Sequence, residues 1–135
     1  MKVKIDTGAF VPERAHSTDA GLDLRAMETK TIPSYGYASF KTGIHVEIPA
    51  GYVGLITSKS GLMAKGITCR GTIDSGYTGE IRAVMFNQSA EHYLVKKGDK
   101  ITQLVVMPCL LESVELVSEL AETERGSGGF GSTGR

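Results

Sequence analysis

Short segments in which apolar and polar residues alternate, each closed by a turn, constrain this chain more than any other feature. Ile44, Val46 and Ile48 alternate with His45 and Glu47, and Val53 and Leu55 alternate with Gly54, so one face of each segment is read as buried and one as wet. The segments Ile81 to Phe86 and Ile101 to Met107 are short and rich in β-branched residues. Turn signals at Ser75-Gly76 and Lys97-Gly98-Asp99 bound them. Strands of this length and spacing suit an antiparallel sandwich or barrel. A parallel sheet needs long helical crossovers, and the only helix candidate is Leu62 to Lys65, between Gly61 and Gly66. Residues Leu110 to Glu122 fit two periods: Leu110, Val114, Val117 and Leu120 make a helical stripe, Val114 and Leu116 a strand, and strand is the reading adopted. The expected class is all-β with one short helix.

At 135 residues the chain has room for one compact domain with its own core. Fifteen Lys plus Arg balance fifteen Asp plus Glu, so no global basic field exists to hold a nucleic-acid backbone. The two cysteines, Cys69 and Cys109, offer neither a disulfide framework nor a four-ligand zinc site. No apolar h-region opens the sequence, and no apolar stretch approaches the ~18 residues that span a bilayer. The expectation is a cytoplasmic protein with neither nucleic acid nor membrane as partner. Glycine is in excess, 17 residues, and clustered. From Arg125 onward five of eleven residues are Gly, around one aromatic, Phe130, and no core can form there. The chain is therefore divided into a β-barrel domain, 1–122, and a flexible arm, 123–135.

Five segments carry polar chemistry. Gly126, Gly128 and Gly131 match a GxGxxG spacing, but a dinucleotide fingerprint needs a strand before it and a helix after it. What survives is a run of backbone N–H groups with Arg125, Ser132 and Thr133, suited to phosphate oxygens, and Phe130, suited to stacking on a ring. A second segment, SKSGLMAKG, places Lys59 and Ser60 where a strand ends and a helical turn begins, a place that exposes N–H groups to an anion. The third, GTIDSGYTGEI, sets Asp74 ahead of a tight turn followed by Tyr77; a carboxylate there also serves simply to bond its own turn amides. In DAGLDLRA, Asp19 and Asp23 straddle Gly21, and solvated surface acids are the ordinary reading. The last, KKGDKITQLVV, places Gln103 in an otherwise apolar strand, where an amide needs partners. His16, His45 and His92 form no ligand pattern, and adjacent Ser58 and Lys59 point to opposite faces of a strand, which excludes a Ser-Lys nucleophile.

The order DAGLDL, SKSGL, GTIDSGYTGEI, GDKITQLV, RGSGGFGSTG resembles the five ordered motifs of the trimeric dUTP pyrophosphatases, from Asp19 to Gly134. The resemblance implies a jelly-roll-like β subunit, a homotrimer with shared active sites, and magnesium-dependent hydrolysis of dUTP to dUMP and pyrophosphate. It makes Asp74 the carboxylate that orients and deprotonates the attacking water, and Gln103 the amide beside the α-phosphate. Tyr77 matches the ring under deoxyribose that leaves no room for a 2′-hydroxyl. Asp23 matches the acid that reaches magnesium through water. Lys59, Ser60 and Gly61 match the phosphate-binding turn, while Arg125, Phe130, Gly131, Ser132 and Thr133 match the arm, with Phe130 over uracil. Two departures stand out. Lys59 occupies a position that usually holds Arg, replacing a planar fork by a point charge. Thr68 occupies one that often holds Asn, so uracil recognition leans on backbone groups of the hairpin from Thr68 to Tyr77, those of Gly71 and Ile73 included.

Such a site has a clear logic. A water in line with the leaving pyrophosphate needs an acceptor near neutral pH, and a polyphosphate's charge needs a bridging cation, for which magnesium suits hard oxygen ligands. Two other readings compete: a dCTP deaminase of related β architecture, and a nucleotide-responsive binding protein with a regulatory protein partner. The Phe-bearing arm and the GTIDSGYTGEI segment favour the pyrophosphatase.

Overall fold

The computed structural model describes residues 1–130. Among them the chain forms β1 (Lys2–Ile5), β2 (Gly21–Arg25), β3 (Lys30–Ile32), β4 (Tyr37–Lys41), β5 (Ile44–Glu47), β6 (Tyr52–Ser58), the helical turn α1 (Ser60–Met63), β7 (Ile67–Cys69), β8 (Gly71–Ile73), β9 (Arg82–Asn87), β10 (Tyr93–Val95) and β11 (Lys100–Pro108). The expected all-β, jelly-roll-like class is what is found. A four-stranded sheet in the order β2-β11-β6-β8 faces a three-stranded sheet β4-β9-β7, with two-stranded ribbons β1-β5 and β3-β10 beside them. Every pairing is antiparallel. Leu24, Ile56 and Leu104 from the first sheet meet Phe40, Ile67 and Met85 from the second in one core. Each such side chain, fully buried, stabilises the fold by roughly 1.5–3 kcal/mol.

The alternation in β5 is as expected, with Ile44, Val46 and the following Ile48 buried and His45 and Glu47 turned outward. In β6 the faces are reversed. Gly54 and Ile56 face the core, and Val53 and Leu55 lie half-buried on the outer face. The cause is space: a Cβ on Gly54 would lie 2.9 Å from Leu104 Cδ1 and 3.1 Å from Ile48 Cδ1, so neighbours fill the place of its side chain. An apolar count is blind to that.

Two further expectations are corrected. The helical turn begins at Ser60, two residues before Leu62, because the extended Lys59 offers its carbonyl to the amides of Leu62 and Met63 as soon as β6 ends. The strand expected within Leu110 to Glu122 is absent. After β11 the Cys109 amide bonds to Gly51 O at 2.8 Å, and from there to residue 130 the chain forms no strand or helix. Leu110, Val114, Leu116 and Leu120 are all more than 80% exposed. Strand backbone needs a neighbouring edge, and no described strand offers one here.

Candidate active site

The outer face of the four-stranded sheet carries a polar row. Asp23 on β2, Gln103 on β11 and Thr57 on β6 are direct cross-strand partners, so their side chains stand side by side. Asp23 is buried, not a solvated acid. Lys100 Nζ lies 2.8 Å from one carboxylate oxygen and Lys59 Nζ bonds the other. Burial alone would push the Asp23 carboxyl up, but the hydrogen bonds and charges of Lys100 and Lys59 outweigh it and hold the group below the ordinary carboxylate range. A Glu13 strap covers it, its carbonyl accepting from the Asp23 amide at 2.8 Å and its carboxylate from Arg25 at 2.8 Å.

Lys100 went unnoticed in the sequence because strand parity hides it. Three residues separate it from Gln103, which in a regular strand puts the two on opposite faces. The register between β11 and β2 shifts between Lys100 and Thr102, and both Ile101 and Thr102 turn inward. That bulge re-aims Lys100 to the face of Asp23 and Gln103. The one signal available was a third cation, after Lys96 and Lys97, at the first residue of the strand.

Around this row Ser58, Lys59, Ser60, Gly61, Leu62, Lys65, Lys100 and Gln103 line a cavity of about 490 Å³. Three ammonium groups on its wall face the Asp23 carboxylate and Glu13, which lies 3.9 Å from Lys100 and is itself paired with Arg25, so an excess of positive charge remains, suited to a polyphosphate. No side chain among the described residues bonds the Gln103 amide, and the adjacent Thr57 hydroxyl is buried without a partner among them. The Gln103 side chain lies across Gly21: a Cβ there would come within 2.3 Å of Gln103 Oε1. Ser58, as expected, turns away from Lys59, its hydroxyl donating to Cys69 O and accepting from Cys69 N.

Asp74, Tyr77 and Thr68 are elsewhere. Tyr77 N donates to Asp74 O at 3.0 Å, closing the expected turn. The Asp74 carboxylate is exposed and bonds none of its own turn amides. Ile73, Gly54 and Val106 share one row of the sheet. At about 3.3 Å per residue and about 4.8 Å per strand, Asp74 stands roughly 16 Å from Gln103. One water cannot touch both within one chain. The expected hairpin from Thr68 to Tyr77 is also corrected: β7 pairs with β9 and β8 with β6, so Thr68 belongs to one sheet and Gly71 and Ile73 to the other. Both β7 and β8 are edge strands. Among the described residues the Arg125 guanidinium bonds only Gly128 O, at 3.0 Å, and Phe130 is fully exposed. Gly131, Ser132 and Thr133 lie outside the described residues.

A jelly-roll-like β subunit with a lysine-walled cavity on its sheet face defines a protein built to hold a polyphosphate. The dUTPase family model matches residues 8–134. The deoxyuridine 5′-triphosphate nucleotidohydrolase of Clostridium acetobutylicum is 44% identical over 135 residues, spanning 97% of this chain and 93% of that protein. Among solved structures, a point variant of the Staphylococcus bacteriophage 80alpha dUTPase with dUpNHpp superposes with a TM-score of 0.92 at 33% identity, covering 99% of this chain and 98% of that one. A variant dUTPase from phage phi11 of S. aureus, described with a structural Mg(II) ion, gives 0.81 at 32% identity over 87% and 96%. The chain belongs to the dUTPase family, hydrolases that convert dUTP to dUMP.

Proposed function

We propose that hydrolysis runs by in-line attack of water on the α-phosphorus, releasing pyrophosphate, in sites shared between subunits of a homotrimer. The carrying observation is that Asp74 follows the edge strand β8, two strands across from β11 and offset along it from Gln103, a separation of roughly 16 Å at ideal strand spacing. Asp74 from one subunit accepts the water's proton, and the Gln103 amide of another positions that water beside the α-phosphate. Lys59, Lys100 and the amides of the Ser60-Gly61 turn receive the phosphates, the two ammonium groups leaving Asp23 in part as the polyphosphate arrives. Edge strands β7 and β8 offer backbone groups of Thr68, Gly71 and Ile73 to uracil as a complementary strand would. A wrong base leaves a donor or acceptor unpaired, at a cost of about 1–3 kcal/mol each. Tyr77 packs against the deoxyribose.

Magnesium fits this donor set as a companion of the nucleotide. Among the described residues no three His, Cys, Asp or Glu side chains gather as a metal cage, and both Asp23 oxygens are engaged by lysines. Magnesium bound chiefly by phosphates and waters needs only one such carboxylate, so Asp23 would hold it through water. When bound, the cation neutralises charge on the polyphosphate and the leaving pyrophosphate. Residues 123–135 act as an arm that closes over the nucleotide, with Arg125 on phosphates and Phe130 over the base, excluding bulk water.

The test mixes two inactive proteins, Asp74→Asn chains and chains ending at residue 122, after denaturation and reassembly. Shared sites predict recovered pyrophosphate release from dUTP. No recovery in correctly assembled mixed trimers overturns the arrangement.

A further inference from the structure

We propose that Gly79 is a specificity-determining position, the seat that holds the Tyr77 ring in place and so sets how strictly ribonucleotides are excluded. Tyr77 leaves the Asp74 turn and folds back along its own chain, its hydroxyl donating to Glu80 O at 3.0 Å. The ring therefore lies over the backbone between them. A Cβ built on Gly79 would stand 2.4 Å from Tyr77 Oη, 2.5 Å from Cζ and 2.8 Å from Cε2, and these are its three nearest neighbours. Carbon atoms in contact keep about 3.5–4.0 Å, so ring and side chain cannot coexist in these positions. Gly79 is not among the positive-φ glycines, so its backbone is one that any residue adopts. What demands glycine here is the ring.

The ring is also the part that gives way. Tyr77 is 45% exposed, and nothing in the core depends on it. A methyl group at position 79 lifts the ring off the backbone and breaks the hydroxyl's bond to Glu80 O, at little expense to the fold. A ring so released no longer closes the space beside the sugar's second carbon. This rests on the reading that Tyr77 packs against deoxyribose.

The experiment measures kcat/KM for dUTP and for UTP, with the melting temperature, in the full-length chain and in Gly79→Ala, Tyr77→Ala and the double variant. Gly79→Ala is expected to lower the dUTP-to-UTP preference by at least about tenfold, while kcat for dUTP stays within about threefold. With the ring gone, the added methyl loses all three of its nearest neighbours, so the double variant is expected to match Tyr77→Ala in preference and in melting temperature. If Tyr77→Ala relaxes the preference and Gly79→Ala does not, the seat is overturned. If Tyr77→Ala itself leaves the preference intact, the reading of Tyr77 fails instead. Should Gly79→Ala fail to fold, the double variant decides: folding restored supports the ring as the reason for glycine, and folding still lost overturns it.

Discussion

The lysine-walled cavity and the Asp74 turn are opposite kinds of place. In the cavity the acid is answered: Asp23 is buried between two ammonium groups, and a β-bulge and a side-chain-free Gly21 fix where Lys100 and Gln103 lie. On the turn the Asp74 carboxylate stands in solvent, joined to the sheet by the edge strand β8. One is a charged surface organised within a single chain; the other presents an exposed carboxylate that, on the proposed function, meets its reaction partner only in the assembled protein. The difference teaches where each effect of substitution should appear, in binding or in the chemical step.

The largest effect belongs to the turn. Asp74→Asn, nearly unchanged in shape, is expected to lower kcat for dUTP by roughly a hundred- to ten-thousand-fold with KM little altered. Undiminished pyrophosphate release would erase the contrast. On the cavity side, Lys100→Ala removes one charge-assisted bond, so KM for dUTP should rise about ten- to a hundredfold and kcat change less. A pure kcat loss would instead put Lys100 in the chemical step.

Smaller effects sharpen the picture. Gly21→Ala displaces the Gln103 amide, and its added carbon would stand 3.1 Å from Gln103 Cβ, so kcat should fall about tenfold with at most a small loss of melting temperature. A large thermal loss with normal turnover in the surviving enzyme would make Gly21 a packing residue only. The smallest is acid stability. Because the folded-state Asp23 pKa is depressed, its ion pairs contribute fully above the unfolded value near 3.8 and are lost as pH falls through the folded value. Asp23→Asn should cost about 1–2 kcal/mol at neutral pH, discounted because both lysines are partly exposed. The gap to the parent chain should begin to narrow below about pH 3.8 and close once the pH is under the folded-state value. A gap that persists there would mean that shape, not charge, holds the row together.

Much of this was legible in the chain. Turn residues and β-branched alternation announce β5, β9 and β11, since period-two burial is a local property that each strand carries in its own letters. The order of five segments shows the family, and it picks out Asp74, Tyr77, Gln103 and the Lys59-Ser60-Gly61 turn as candidates. Less legible were the inner face of β6, where an absent side chain leaves room for Leu104, and the segment after Pro108, whose apolar residues match two periods and stay largely exposed.

The sequence by itself determined an all-β body, the family and a set of candidate site residues, because side-chain chemistry and two-residue periodicity are written residue by residue. Only the tertiary structure decided that Lys100 joins Lys59 on Asp23, that Thr68 and Gly71 part to different sheets, and that Asp74 lies far from Gln103. Those outcomes depend on register between strands distant in sequence. One inserted residue at Ile101 reverses a face that no local pattern could have reassigned.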